Sequence, residues 1–219
     1  MVAESLISEF VRTQNIHLIQ ALGEISELQM YKKGEALYEP GEQYRGFYFL
    51  LKGAVYCYFP DEEQRETSVC FFTRRYDLLN IEDFHKVSTV GMRALMETEV
   101  LYIPTEKSCE LMERYTELLW EYTRYLQRTM VYLCVIDNRR MYMPAEERYQ
   151  WFCEKWPEAE KFASNQQVAT FLRMRPESLS RLKSQIRKNG NEKKALSNIM
   201  VTRDLQWGYM DIKQRIDEN

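Results

Sequence analysis

Residues 163–188 have the sequence ASNQQVATFLRMRPESLSRLKSQIRK and predict two short helices joined by a tight turn. Ser164 and Gln167 are spaced as in a capping box, where each side chain bonds a backbone N–H at the start of a helix. Pro176 suits the first position of a second helix, because its missing N–H would have no partner there. Residues 173–175 would then form the connection.

The two predicted helices each have one apolar face. In the first helix this face consists of Val168, Phe171 and Leu172, and in the second of Leu179, Leu182 and Ile186. At about 100° per residue, the opposite side of the second helix presents Glu177, Arg181, Ser184 and Lys188. This pattern is typical of a helix-turn-helix whose second helix enters the DNA major groove. An exposed helical hairpin with a solvated charged face has the same spacing and is the alternative.

Charge is distributed unevenly along the 219 residues, although the net charge is only −3. Residues 163–219 contain eleven Lys and Arg against six Asp and Glu, or +5. The preceding residues contain 19 against 27, or −8. An acidic front and a basic back favour a nucleic-acid partner for the back part alone, with chance drift of charge as the alternative.

The cysteines indicate a reducing compartment. The chain has five cysteines, Cys57, Cys70, Cys109, Cys134 and Cys153. They are odd in number and widely spaced, and no two of them form a CxxC pair. Such spacing argues against a zinc or iron–sulfur site and for reduced thiols in the cytosol. No apolar run has the length of a membrane span, and no signal-peptide pattern is present. We therefore expect a cytoplasmic protein with no membrane partner, no metal and no cofactor.

The first half of the chain has a predicted helical segment followed by predicted β-strands. Residues 1–28 predict two helices, the second over residues 16–23 and ended by Gly23. Between residues 29 and 104, Gly- and Pro-containing turns separate β-prone runs at residues 47–51, 54–59, 67–72 and 100–103. Several short strands at this spacing predict a small barrel or sandwich.

Residues 105–143 contain almost no helix breakers and predict one long amphipathic helix. Its apolar stripe is Leu111, Tyr115, Leu118, Tyr122, Leu126, Met130 and Leu133. A twin helix of a second subunit is the favoured partner for this dimerisation stripe, because an elongated helix cannot bury its own stripe. Packing against its own barrel is the alternative. Residues 138–143 are the expected domain joint, and a new helix follows Pro144.

Three stretches resemble the Crp/Fnr family of bacterial transcription regulators. They are KGEALYEPGEQYRGFYFLLKG at residues 33–53, AEERYQWFCEKWP at residues 145–157 and QVATFLRMRPESLSR at residues 167–181. The resemblance implies an α+β fold: an N-terminal cyclic-nucleotide-binding-like barrel of the double-stranded β-helix (jelly-roll-like) type, a long dimerisation helix and a C-terminal winged helix-turn-helix. The corresponding domains would be residues 1–104, 105–143 and 144–219.

The phosphate-binding cassette of the family is degenerate in this chain. Members that bind cyclic AMP have a Gly-Glu pair and a later Arg before a small hydroxyl residue, whereas residues 76–91 are YDLLNIEDFHKVSTVG. Ser88 and Thr89 take the place of the Arg-Ser pair, and Lys86 lacks the bidentate fork of arginine. A lone His85 is more often an ordinary polar residue than a haem or metal ligand. We expect an unknown small-molecule effector, or none, rather than cyclic AMP, with His85, Lys86, Ser88 and Thr89 as candidate pocket residues.

The second helix of the helix-turn-helix would read the DNA sequence. The base-reading candidates are Glu177, Ser178, Arg181 and Ser184, and the phosphate-binding candidates are Ser164, Gln166, Arg173, Arg175, Lys183 and Lys188. Arg173 stands where the family usually has Gly, and Arg175 where it has a hydroxyl cap. Asn189-Gly190-Asn191 would end the helix, no hydrophobic wing hairpin is evident beyond it, and residues 204–215 predict a weak helix.

These features predict a homodimeric, sequence-specific DNA-binding transcription regulator. The resemblance allows RNA polymerase as a further partner. A ligand-binding signalling or scaffold module, whose basic face docks a protein, is the alternative. An enzyme is not expected, because the sequence offers no nucleophile–base pair, no metal-ligand spacing and no phosphate-cradling Gly-rich loop.

Overall fold

The computed structural model describes residues 2–11, 13–63, 65–79 and 87–193. Two helices open the chain, α1 (Val2–Phe10) and α2 (Ile16–Ile25). Seven strands follow: β1 (Glu27–Tyr31), β2 (Ala36–Tyr38), β3 (Gly46–Lys52), β4 (Val55–Pro60), β5 (Glu66–Phe72), β6 (Gly91–Ala94) and β7 (Thr98–Pro104). The described remainder is helical: α3 (Thr105–Arg114), α4 (Thr116–Tyr142), α5 (Ala145–Lys155), α6 (Pro157–Phe162), α7 (Asn165–Phe171) and α8 (Pro176–Lys193).

The strands form two antiparallel sheets in the orders β1-β7-β3 and β2-β6-β4-β5. Their apolar inner faces meet in one cluster that includes Leu50, Val55, Met92 and Val100. The predicted α+β fold with a jelly-roll-like barrel is therefore confirmed. The sequence does not predict β1, β2 and β6. Strands β2 and β6 have only three and four residues, too few to show alternation, and β1 begins inside the segment predicted to be helical.

Three helix boundaries differ from those expected. Gly23 does not end α2, which continues to Ile25. The expected single helix over residues 105–143 breaks at Tyr115, whose backbone is extended at φ −119° and ψ 90°. The helix α8 continues through Gly190 to Lys193, since one glycine inside a helix costs only about 1 kcal/mol. The residues beyond 193, where the resemblance implies a wing, and the helix predicted at residues 204–215 lie outside the described residues.

The apolar stripe of α3 and α4 has two different environments. Leu111, Tyr115, Leu118 and Tyr122 join a cluster with the N-terminal helices and the outer face of β3 and β7. Leu118 is only 9% exposed, so this part of the stripe packs on its own barrel, which corrects the expectation that the whole stripe faces a second subunit. By contrast, Leu126 is 45% exposed and Met130 is 64% exposed, and Leu133 is exposed as well.

The helices after α4 pack on the barrel through an aromatic cluster. The ring of Phe71 on β5 lies 5.4 Å from Phe152 of α5 and 5.1 Å from Phe171 of α7, between ring centroids. Trp156 also contacts Phe171, at 5.1 Å. The backbone N–H of Ser68 donates to the Thr170 hydroxyl at 3.1 Å. The barrel and the helix-turn-helix thus share one core.

We expect Phe71→Ala to lower the free energy of unfolding by about 3–5 kcal/mol, because it leaves a cavity at the joint between the barrel and the helical part. Phe59 on the neighbouring strand β4 provides the control, since it is 46% exposed against 3% for Phe71. Phe59→Ala should change stability by no more than about 0.5 kcal/mol. Urea unfolding followed by circular dichroism measures both variants, and equal losses would contradict the shared core.

Candidate nucleic-acid interface

The helix α7 begins with the predicted capping box. The Ser164 hydroxyl accepts a hydrogen bond from the Gln167 backbone N–H at 3.1 Å, and the Gln167 side-chain oxygen accepts one from the Ser164 N–H at 2.7 Å. The hydroxyl hydrogen of Ser164 is not used by this contact and can still be donated. Ser164 and Gln166 are both exposed at this helix start, where free N–H groups favour an anion.

The turn between α7 and α8 places Arg173 in the left-handed region at φ +53°. This conformation explains why the family usually has Gly there, because an L-residue in it costs roughly 1–2 kcal/mol. The Arg173 guanidinium forms an ion pair with Asp137 of α4. The sequence predicts that Arg173 binds a phosphate, whereas the structure pairs its charge with Asp137 within the chain.

The outer face of α8 is polar and exposed, as the helical spacing predicts. Leu179 is fully buried, and Leu182 and Ile186 pack partly buried against the same core. The four base-reading candidates, Glu177, Ser178, Arg181 and Ser184, are all exposed. Arg175 and Lys188 are exposed too, and neither they nor Arg181 takes part in an ion pair among the described residues.

Lys183 points toward the core side of α8, and its position corrects the expectation that it binds phosphate. Its ammonium group lies 3.5 Å from a carboxylate oxygen of Glu160 and 5.2 Å from the centroid of the Tyr149 ring. Glu160 also accepts a hydrogen bond from the Tyr149 hydroxyl at 2.9 Å. Lys183 therefore ties α8 to α5 and α6 and is not part of the exposed basic face.

Arg140 is a connecting residue that sequence reasoning missed. Its guanidinium donates to the backbone carbonyls of Val69 on β5 and Phe171 on α7, each at 3.4 Å, and pairs with Asp137 at 3.1 Å. It also lies over the Phe171 ring, 5.2 Å from the centroid. The sequence feature that points to Arg140 is its place in the expected domain joint. Of the partners named here, only Asp137 lies nearby in the chain, so local spacing does not predict the others.

The described interior of the barrel is filled by aromatic and aliphatic side chains. Tyr38 packs edge-on against Tyr44 at 5.5 Å and lies 5.9 Å from Tyr48, between ring centroids. Burial raises the pKa of Tyr44 well above its ordinary value. Of the candidate effector residues, Ser88 is buried and donates to the Val90 carbonyl at 2.6 Å, whereas Thr89 is exposed. His85 and Lys86 lie outside the described residues.

Asp77, in the loop after β5, is a largely buried carboxylate on the outside of the barrel. It accepts a hydrogen bond from the Arg74 backbone N–H at 3.1 Å. Burial raises the pKa of the Asp77 carboxyl to about 6, because the charged form loses hydration, and this effect exceeds that of the hydrogen bond. The preceding Tyr76 has a left-handed backbone at φ +69°, which is rare for an aromatic residue.

Comparisons with known proteins confirm the resemblance to Crp/Fnr regulators. Residues 28–115 match the cyclic nucleotide-binding domain family. A Crp/Fnr-family transcriptional regulator from Eubacterium rectale has the same fold, with a TM-score of 0.66, 15% identity and coverage of 85% of this chain and 89% of that one. No curated protein matches the sequence.

Two further solved structures have this fold. FixK2 from Bradyrhizobium japonicum has a TM-score of 0.61 and 18% identity over 76% of this chain and 86% of its own. The c-di-GMP responsive global regulator CLP from Xanthomonas campestris has a TM-score of 0.61 and 15% identity over 80% of this chain and 93% of its own. Identities this low establish a common fold. No helix among the described residues is long and apolar enough to span a bilayer.

We expect Asp77→Asn to raise the free energy of unfolding at pH 7 by about 1–3 kcal/mol and to have little effect at pH 4. The pKa of Asp77 is about 6 in the folded chain, against roughly 3.9 in an unfolded one. The folded state therefore binds this proton more tightly, so its stabilising contribution is complete below pH about 4 and lost as the pH rises through about 6.

Asp61 is the control for this measurement, because a side-chain hydrogen bond from Arg65 lowers the pKa of its carboxyl. Asp61→Asn should therefore reduce stability at pH 7, the opposite sign. Urea unfolding from pH 4 to pH 8 measures both variants. An unchanged pH dependence in Asp77→Asn would show that this carboxylate is hydrated in the folded protein.

Proposed function

We propose that this chain, which has the fold of the Crp/Fnr transcription regulators, is a homodimeric, sequence-specific DNA-binding regulator. The observation that supports it best is the exposed polar and basic face of α8, opposite the buried Leu179, in a helix-turn-helix with a capped first helix. A second helix presented in this way fits the major groove. The described barrel and helices contribute the scaffold that holds α8 in place.

Arg181 and Glu177 are the principal base readers in this proposal. An arginine binds guanine O6 and N7 through two parallel hydrogen bonds, and a glutamate accepts from the cytosine amino group. Ser178 and Ser184 flank them. The Ser184 hydroxyl donates to the Ser180 carbonyl at 3.0 Å, so its oxygen remains an acceptor for a base amino group.

Phosphate contacts would come from residues around the reading face. Arg175 in the turn, Lys188 farther along α8 and Gln166 at the start of α7 are all exposed. Cationic and amide side chains at such positions fix the register of a protein on the duplex without reading its sequence. Arg173 and Lys183 are assigned to the internal contacts with Asp137 and Glu160 instead.

The exposed half of α4 is the proposed dimer interface. Leu119, Leu126 and Leu133 are seven residues apart, and Thr123 and Met130 lie between them at spacings of three and four residues. This is a heptad seam, with the three leucines at equivalent positions, and the three leucines and Met130 are exposed large hydrophobic residues. Two such helices side by side would set two α8 helices about one DNA turn apart.

Arg181→Ala is expected to cost about 1–3 kcal/mol on the best operator and to relax preference at one base pair, while affinity for random duplex falls less. Arg175→Ala should weaken specific and random DNA alike and reduce the salt slope by about one unit per subunit, because it removes a phosphate contact. Operators selected from genomic fragments and titrated at several salt concentrations provide both quantities.

Lys183→Met is the matched control on the same helix. The Lys183 ammonium group pairs with Glu160, so removing it should leave the salt dependence of DNA affinity unchanged. If Arg181→Ala kept both affinity and base preference, α8 would not be the reading helix. The exposed basic face would then be better explained as a docking surface for a protein.

We expect the double variant Leu126→Lys, Met130→Lys to be monomeric and to bind DNA more weakly, because a monomer holds only one half-site. Leu118 is left unchanged, since a lysine there would disrupt the barrel contact rather than a dimer. Met30→Lys, at a strongly exposed methionine of β1, is the control and should remain dimeric. Sedimentation measures both, and an intact dimer in the double variant would place the interface elsewhere.

A further inference from the structure

A cavity of about 330 Å³ lies outside the barrel, between the N-terminal helices, strand β3 and the helices α3 and α4. We refer to it as the outer cavity. Its volume lies within the range of ligand pockets, roughly 300–1,000 Å³. Ser88 and Thr89, the described candidates for an effector site in the barrel, do not border it. Tyr76, Asp77 and Leu78, at the start of the stretch that corresponds to the family's cassette, do border it, on the outer side of the barrel.

The walls of the outer cavity are aromatic and already packed. Phe10 of α1 lies 4.4 Å from Phe49 and 5.3 Å from Tyr76, and Phe47 lies edge-on to Tyr122 at 5.5 Å, between ring centroids. Each ring is thus fixed by a neighbour on a different element. An apolar ligand would find these walls preformed and would not need to order them on binding.

The outer cavity also has a cationic side formed by Arg74, Arg75 and Arg128. Arg75 is 3.8 Å from Glu9 and lies over the Tyr76 ring. Neither Arg74 nor Arg128 forms an ion pair with any described residue. Guanidinium groups beside an apolar space provide paired N–H donors that match a carboxylate.

The three carboxylates at the outer cavity have partners in the chain. Glu9 accepts the hydroxyl of Tyr76, Glu121 pairs with Arg124 on α4, and Asp77 accepts the Arg74 N–H. The carboxylates of Glu9 and Glu121 are therefore already paired. Asp77 accepts a hydrogen bond from the backbone of Arg74 and not from its side chain. Arg74 and Arg128 thus remain as donors for an external anion, and the Arg74 charge also acts on the nearby Asp77 carboxyl.

The loop that borders the outer cavity is held in a rare backbone conformation. Tyr76 has φ +69°, and it is fixed by a hydrogen bond from its N–H to the Leu50 carbonyl at 2.6 Å. The Leu50 N–H donates in turn to the Asp77 carbonyl at 2.9 Å. Such conformations cluster at ligand sites, where they aim a side chain. Here the strained residue turns its ring onto Phe10 at the cavity wall.

We propose that the outer cavity binds a small amphipathic carboxylate, with its apolar body against Phe10, Phe47 and Phe49 and its carboxylate on Arg128. Arg74 provides the second cation. A carboxylate fits better than a compact inorganic anion, because most of the wall is apolar and only one side offers donors. The walls come from α1, β3 and α4, so a bound ligand would contact the barrel and α4 together.

A smaller cavity of about 80 Å³ extends the site toward the helix-turn-helix. It reaches Ile136 and Trp156, and the residues it has in common with the outer cavity are Arg74, Tyr76, Asp77, Leu78 and Tyr125. Ile136 and Trp156 belong to the core between the barrel and the DNA-reading helices. A ligand in the outer cavity would therefore alter DNA affinity. This consequence rests on the proposed function, whereas the binding of the ligand does not.

Calorimetric titration of the full chain with decanoate and with decanol tests the site. We expect saturable binding of one decanoate per chain and at least about tenfold weaker binding of decanol, which lacks the charge. Arg128→Gln should weaken the binding of decanoate about tenfold, which is roughly the contribution of one charge-assisted hydrogen bond. The binding of decanol should be unchanged. Arg65→Gln, on an exposed turn of the barrel, is the control and should bind like the parent protein.

Met112→Trp fills the outer cavity from α3 and should abolish binding of both compounds. Thermal unfolding shows whether this variant is folded, and Arg128→Gln tests the site without depending on it. Absence of saturable binding, equal affinities for decanoate and decanol, or an unchanged affinity in Arg128→Gln would overturn the proposal. DNA affinity is titrated separately, so a chain that bound decanoate but no DNA would contradict the proposed function alone.

Discussion

The packing of Phe71 against Phe152 and Phe171 determines where the helix-turn-helix lies. These rings belong to β5, α5 and α7, so one contact joins the barrel to both helices that support α8. Arg140 strengthens the same joint by donating to carbonyls on β5 and α7. Because α7 is buried on one side by the barrel and on the other by α8, the orientation of the exposed face of α8 depends on the barrel surface as well as on the helical hairpin.

The helix α4 connects this joint to the rest of the molecule through two faces with different partners. Leu118 packs against the barrel and Ile136 against the core formed with α5 to α8, so the same face contacts both parts of the molecule. The adjacent face, with Leu126 and Met130, is exposed. A change of angle between α4 and the barrel would therefore move the helix-turn-helix and the exposed seam together, since packed interfaces respond by discrete shifts rather than by gradual deformation.

The local features of the site could be predicted from the sequence, and the long-range ones could not. The capping box of Ser164 and the burial of Leu179 follow from spacing alone, because they depend on residues a few positions apart. Periodicity shows that α4 has an apolar stripe, but it does not show which half packs on the barrel. The pairing of Arg173 with Asp137, 36 positions away, has no local signal at all. Lys183 illustrates a third case, since it borders the apolar stripe and its direction depends on Glu160 of another helix.

The described barrel interior and the outer cavity differ in whether they offer cationic side chains to a ligand. A cyclic phosphodiester in the barrel needs a cation and preorganised donors in a pocket with little water. The described interior instead contains Tyr38, Tyr44 and Tyr48 packed on one another, which occupy space and provide no cation. The arginines lie on the outside of the barrel, where the loop of Tyr76 meets α4. A ligand bound there would contact α4, the helix that connects the barrel to the helix-turn-helix.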